Sequence, residues 1–248
     1  MKKNILITGA SRGIGAATAL LAAKEGYHVG VNYLNNHEAA EKVVTSIQNL
    51  GGTAIAIKAD VSVREQVAYL FDEFDKRLGP IHSLVNNAGI LETQKNVIDM
   101  EVERLVRVIN INILSCFLCS QEAIRRMSTR YGGEGGAIVN VSSVAARTGS
   151  PNEYVDYAVA KGAIDTFTVG LAKEVATEGI RVNAVRPGFI YTDIHASGGE
   201  PGRVDRIKGN VPMKRGGQPE EVAKAILWLL SDAASYSTGT FIDVAGGR

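Results

Sequence analysis

The chain has 248 residues, 45% hydrophobic and 21% charged, with a formal net charge of +1. That length allows one large α/β domain or two small ones. The near-balance of charge excludes the basic footprint of a nucleic-acid binder, and no apolar run approaches the roughly 20 residues that a membrane span needs.

In chain order, "MKKNILITGA" has the look of a signal peptide, but its apolar part is too short and a glycine turn follows at once. A cytoplasmic chain is therefore expected. The strand "NILIT" precedes the helical "GIGAATALLAAKEG", then "YHVGVNY" precedes "NHEAAEKVVTSIQNLG", and "TAIAIKADV" precedes "SVREQVAYLFDEFDKRLG". "IHSLVNNAG" leads into one extended helix from Glu101 to about Arg130, holding two cysteines read as buried structural thiols, Cys116 and Cys119. "GAIVNVSS" is the next strand, followed by a helix from about Glu153 to Glu178, and "IRVNAVRPG", "PEEVAKAILWLLSD" and "GTFIDVAGG" complete the series. Gly26, Gly51 and Gly79 fall where helices should end, and Ser62 to Glu65 has capping-box spacing.

Strands alternating with helices imply crossover connections. The expectation is a single α/β domain over residues 1–248, with a doubly wound, seven-stranded parallel sheet covered by helices on both faces. One long glycine-rich piece, about 192–216, reads as a lid, because long irregular loops in compact domains are usually functional.

Three stretches carry chemistry. "TGASRGIG" places Gly9, Gly13 and Gly15 between a strand and a helix, where glycines let the backbone approach a pyrophosphate at the helix N-terminus. The second strand ends in "VNYLNN", with Asn32 and Tyr33 where NAD-specific folds usually carry a carboxylate for the ribose 2′-hydroxyl. With that repulsion absent and Arg12 inside the turn, NADP(H) is favoured over NAD(H). In "EYVDYAVAKGA", only Tyr157 lies four residues before a lysine, Lys161. On a helix the two share a face, and the cation is expected to lower the phenol pKa.

Taken in order, "TGASRGIG", "NNAG", "VNVSS", "YAVAK" and "RPG" resemble the short-chain dehydrogenase/reductase family over essentially the whole chain. Within it the likeness is to bacterial sugar dehydrogenases of the glucose 1-dehydrogenase kind. The resemblance implies a Rossmann fold, with Tyr157 as general acid/base and Lys161 lowering its pKa and binding the nicotinamide ribose. It implies that Ser143 holds the substrate oxygen and that Asn112, at a helix break, relays protons. For the cofactor it implies Gly9, Ser11, Arg12, Gly13, Ile14 and Gly15, then Asp60 and Val61 at the adenine. Asn87, Ala88 and Gly89 would pass the ribose, and Pro187, Gly188, Ile190 and Thr192 the nicotinamide side. Asp60 reads equally as a cap after the third strand.

Ser142 competes with Ser143, and Asn110 with Asn112. The spacing from Ser143 to Tyr157 is one residue longer than the family's commonest. The substrate lining is expected to include Arg147, Asn152, Glu153 and His195, a mixture suited to a small polar alcohol, ketone or sugar. His195 by itself reads as a surface residue. No ligand constellation for a metal is visible. Arg126, Arg130 and Arg147 leave open an acyl-carrier-protein site and hence a 3-oxoacyl reductase. A non-catalytic dinucleotide sensor is the alternative of another class, though such proteins tend to lose the Tyr or Lys. Family members are usually homotetramers, and Cys116, Phe117, Phe167, Trp228 and Phe241 fall either on that interface or in the core.

Overall fold

The computed structural model describes residues 3–248, so Met1 and Lys2 of the signal-like segment lie outside the described residues. Seven strands form one sheet: β1 (Asn4–Ile7), β2 (His28–Tyr33), β3 (Thr53–Lys58), β4 (Ser83–Asn86), β5 (Gly136–Val141), β6 (Ile180–Pro187) and β7 (Phe241–Val244). Their order is β3-β2-β1-β4-β5-β6-β7, every pairing parallel. The first helices are α1 (Gly13–Lys24), α2 (His37–Asn49), α3 (Arg64–Leu78), α4 (Val102–Ile109) and α5 (Ser115–Met127). The rest are α6 (Ala145–Thr148), α7 (Val155–Val175), α8 (Ile194–Ser197), α9 (Arg203–Ile207) and α10 (Pro219–Leu230).

Strand alternation distributes the core to both faces. Ile5 and Ile7 of β1 pack with Ala19 of α1, Ile47 of α2 and Ile226 of α10. Leu6 between them turns the other way, to Phe71 and Phe74 of α3, Leu118 of α5 and Leu171 of α7. With both faces covered, the near-continuous apolar strands are explained. The strand order reverses between β1 and β4, which opens a crevice at their carboxyl ends.

Gly26, Gly51 and Gly79 follow helices with φ of 89°, 78° and 86°, the left-handed turn that only glycine adopts cheaply. The long expected helix is instead α4 and α5 joined by a π-helical turn, Asn110–Leu114. The capping box at Ser62 does not form: α3 starts after Val63, and both the N–H and Oγ of Ser62 donate to Asp60 Oδ1, at 2.9 and 2.6 Å. The Asx-type turn wins because Asp60 is closer in sequence than the helix N–H groups. The lid is not structureless, since it carries α8 and α9. Cys116 and Cys119 are buried thiols, and burial raises both pKa values, Cys116 to about 12. Cys116 thus belongs to the core, whereas Phe117 and Trp228 stay exposed. Among the described residues no helix is long and apolar enough to cross a membrane.

Candidate active site

A cleft of about 870 Å³ runs along the carboxyl ends of the strands. At one end lies the glycine turn. Gly9 has φ +60°, and a Cβ on it would come within 3.0 Å of the Ala88 Cα. Thr8 Oγ1 accepts the N–H groups of Asn87 and Ala88, while Asn87 Nδ2 returns bonds to the carbonyls of Thr8 and Gly9. The Gly9 N–H donates to Asn32 Oδ1, whose amide in turn donates to Ala59 O at 3.1 Å. Asn32 is therefore a buried brace tying β1, β2 and β3 beneath the turn.

Ser11, Arg12, Gly13 and Ile14 line the cleft above that brace, with Tyr33, Asp60 and Val61 beside them. Gly15 stands behind the wall, where a Cβ would be 2.6 Å from Asn87 Nδ2, so its role is close packing of helix on strand. Arg12 is exposed and is the N-cap of α1. Asp60 acts as the turn cap through Oδ1 and still faces the cleft. Ala88 and Gly89 continue the wall, then Pro187, Gly188, Ile190 and Thr192 opposite.

Ser143, Tyr157 and Lys161 meet in the middle of the cleft. Tyr157 and Lys161 lie one turn apart on α7, with Nζ 5.5 Å from the ring centroid. Buried Lys161 donates to Val141 O at 2.7 Å. Desolvation brings Lys161 down to about 8. The expected lowering of the Tyr157 pKa is overturned: burial pushes the phenol up to about 12, against the pull of the Ser143 hydroxyl and the Arg203 guanidinium. Losing water is the largest of these effects and decides the sign. Of the two serines, Ser142 gives its hydroxyl to Asp165 at 2.6 Å, whereas Ser143 faces Tyr157 and accepts the Ala145 N–H at 3.1 Å.

Asn112 is buried in the π turn, where its Oδ1 accepts the Ile90 N–H and its Nδ2 donates to the carbonyls of Ile90 and Val108. A Cβ on Gly89 would sit 2.7 Å from Asn112 Oδ1 and 3.7 Å from Lys161 Nζ, which puts Asn112 and Lys161 on either side of one spot. Asn110, only partly buried in the same turn, makes no such contacts. The turn widens the helix where the site needs it, as π-bulges often do.

Residues from Thr192 to Asn210, within the stretch read as a lid, also line the cleft. Tyr154, also on the cleft wall, donates its hydroxyl to Gly198 O at 3.1 Å, and burial raises its pKa, so it ties that stretch to the N-terminus of α7. Glu153 reaches Arg203 and Arg206 of α9. His195 is buried and bonded to Ile190 O, contrary to the surface position expected of it. Arg147 lies outside the cleft, paired with Asp243 at 2.9 Å, and Asn152 is exposed at the adjoining turn with φ +62°. Sequence reasoning missed Arg203, Arg206, Phe189 and Arg248 on the wall. The i, i+3 spacing of Arg203 and Arg206 was the available cue.

The family model described as Enoyl-(Acyl carrier protein) reductase matches residues 9–248. The chain is 62% identical to "Uncharacterized oxidoreductase YgfF" of Escherichia coli over 243 residues, 98% of each protein. It is 41% identical to a 3-oxoacyl-[acyl-carrier-protein] reductase of Synechocystis, over 98% of this chain and 95% of that one. Among solved structures, a short-chain dehydrogenase/reductase from Serratia marcescens superposes with a TM-score of 0.91 at 31% identity, covering 99% of this chain and 97% of the other.

Proposed function

The chain belongs to the short-chain dehydrogenase/reductase family of oxidoreductases, and on that premise we propose a specific activity. It moves a hydride between a nicotinamide dinucleotide, NADP(H) ahead of NAD(H), and a small polar alcohol or carbonyl compound, with sugars such as glucose among the candidates. The observation that carries this is one continuous cleft with a glycine turn at one end and Ser143, Tyr157 and Lys161 in its middle. A turn with free backbone groups and no carboxylate at the end of β2 fits a phosphorylated dinucleotide. Gly13, Ile14 and Arg12 would hold its phosphates, Asp60 and Val61 its adenine, and Lys161 with Asn87 its second ribose. The cofactor would supply or accept the hydride.

The protein's own residues handle the proton and the oxygen. A phenol held near pKa 12 is protonated at neutral pH, so Tyr157 is poised as a general acid for carbonyl reduction. Ser143 holds the substrate oxygen beside it. Asn112 fixes the π turn near Lys161, through which the spent proton is replaced. The lid over residues 192–216 covers the reacting centre.

A second reading, reduction of a 3-oxoacyl thioester on an acyl-carrier protein, draws on the names of relatives such as the Synechocystis reductase. Against it, Arg126 is engaged by Asp72, Asp75 and Glu122 rather than free for an acidic partner. The test is turnover with NADPH of a small diketone, glucose oxidation with NADP+, and reduction of an acetoacetyl thioester. Tyr157→Phe should lower kcat by about 10²- to 10⁴-fold on whichever is the substrate. Unchanged turnover in that variant would refute the role of Tyr157. Preference for the thioester would move the assignment to the second reading.

A further inference from the structure

Tyr157, Lys161 and Asp165 follow one another at steps of four along α7, so the three side chains share one stripe of the helix. The first two take part in the proposed reaction; Asp165 has no role in it so far. Its side chain is 16% exposed, and both carboxylate oxygens are engaged. Oδ2 lies 3.0 Å from Nε and 2.9 Å from Nη2 of Arg186 on β6. Oδ1 accepts the Ser142 hydroxyl at 2.6 Å. Arg186 is itself fixed, with its guanidinium carbon 3.9 Å from the Phe241 ring centroid and Nη1 3.7 Å from Asp243 of β7.

Ser142 follows the last residue of β5 and precedes Ser143. Its buried hydroxyl also lies 3.2 Å from Lys161 O, so it meets α7 at two points. In return, Lys161 Nζ donates to Val141 O at 2.7 Å. Side chains of both segments thus bond the other, and they clasp the end of β5 to α7. The place of Ser143 relative to Tyr157 depends on that clasp, and a hydrogen bond to an ionised acceptor is about twice as strong as a neutral one.

The charges around Lys161 leave Asp165 a second part. Cys116 of α5 and Tyr157 are each raised to about 12 and stay neutral near pH 8. Arg104 of α4 is paired with Asp156, Arg147 of α6 with Asp243, and Arg203 of α9 with Glu153. The charge of Asp165 opposes the loss of water that brings Lys161 down to about 8. Building on the oxidoreductase reading above, we propose that Asp165 is a positioning residue for the reaction: through Ser142 it locks Ser143 against α7, and through its charge it keeps Lys161 a cation.

The test uses Asp165→Asn, which keeps an oxygen for Ser142 but drops the charge, and Ser142→Ala, which keeps the charge but cuts the clasp. Rates are measured with NADPH and butane-2,3-dione, or with an acetoacetyl thioester where that is the compound reduced. A lysine without its carboxylate neighbour gives up its proton at lower pH, so in Asp165→Asn the alkaline decline of kcat should begin at least about half a pH unit lower. In Ser142→Ala, kcat should fall about tenfold or more, with the decline in place and the NADPH Kd changed by less than about twofold. A residue that merely held the fold would lower kcat evenly across pH. The Nζ signals of 15N-lysine-labelled protein, with that of Lys161 assigned from Lys161→Arg, read the same titration without substrate. A decline and a Lys161 midpoint that stay in place in folded Asp165→Asn overturn the proposal. So does an unchanged kcat in Ser142→Ala, which also decides the outcome if Asp165→Asn does not fold. A wild type that reduces neither compound counts against the oxidoreductase reading alone, and the Lys161 midpoint then supports or overturns the role of Asp165.

Discussion

Replacing Arg12 by Ser isolates the source of the proposed NADPH preference. Arg12 is an exposed side chain at the cleft wall, and the end of β2 beside it offers Asn32, Tyr33 and Leu34 but no carboxylate. A guanidinium about 4 Å from a phosphate charge gains about 1 kcal/mol at the dielectric of water and about 4 at an effective value of 20. Exposure puts Arg12 near the lower figure per charge, and the nearly two charges of a 2′-phosphate bring the gain to about 1–2 kcal/mol after side-chain ordering. At 1.4 kcal/mol per factor of ten, the NADPH Kd should rise about 5- to 30-fold. NADH lacks the 2′-phosphate, so its Kd should change by less than about twofold on the same reasoning. Titration of each nucleotide by its fluorescence gives both constants, and repeating it at about 0.5 M salt should shrink the difference because the pair is exposed. Tighter wild-type binding of NADH than of NADPH would refute the reasoning, as would equal weakening of both nucleotides in the variant.

Carbonyl reduction should be level at neutral pH and decline above about 8, where Lys161 loses its charge, while alcohol oxidation climbs as Tyr157 is more readily deprotonated. A reduction optimum well above pH 9 would contradict this order. In thermal unfolding, the depressed Lys161 pKa adds stability as pH rises from about 8 toward the unfolded value, since only the unfolded chain then holds that proton. The buried pair of Arg104 with Asp156, 2.7 Å apart, anchors the first turn of α7 beside Tyr157. Arg104→Met strands the carboxylate and should cost about 3–5 kcal/mol. That corresponds to a fall of about 6–20 °C in Tm, and Arg104→Met with Asp156→Leu should recover part of it. Phe117 is exposed on α5 with its ring 4.1 Å from that of Phe167. If the family's tetramer forms through this helix, Phe117→Glu should lower the mass measured by light scattering, and an unchanged mass would exclude that face.

The fold was legible because its signals are local. Each strand is a short apolar run, and Gly26, Gly51 and Gly79 mark helix ends by a conformation glycine alone adopts readily. The glycine turn and the Tyr157–Lys161 spacing are equally local, and the structure brings both into one cleft. What the sequence misjudged depends on surroundings that spacing does not encode. Tyr157 and Lys161 are neighbours as expected, but the sign of the phenol shift is set by burial. Ser62 had a glutamate at capping distance, yet Asp60 claimed it first.

The lid is the clearest case. Arg203 meets its carboxylate, Glu153, across 50 residues, the Tyr154 hydroxyl bonds Gly198 across 44, and His195 is buried in the same stretch. The cofactor end of the cleft is built from contiguous motifs because a backbone turn must wrap a fixed chemical group. The substrate end is built from side chains on separate segments that meet only after folding. The reaction class was therefore readable from the chain, while the contact of Arg203 with Glu153 emerges only once α9 meets the residues before α7.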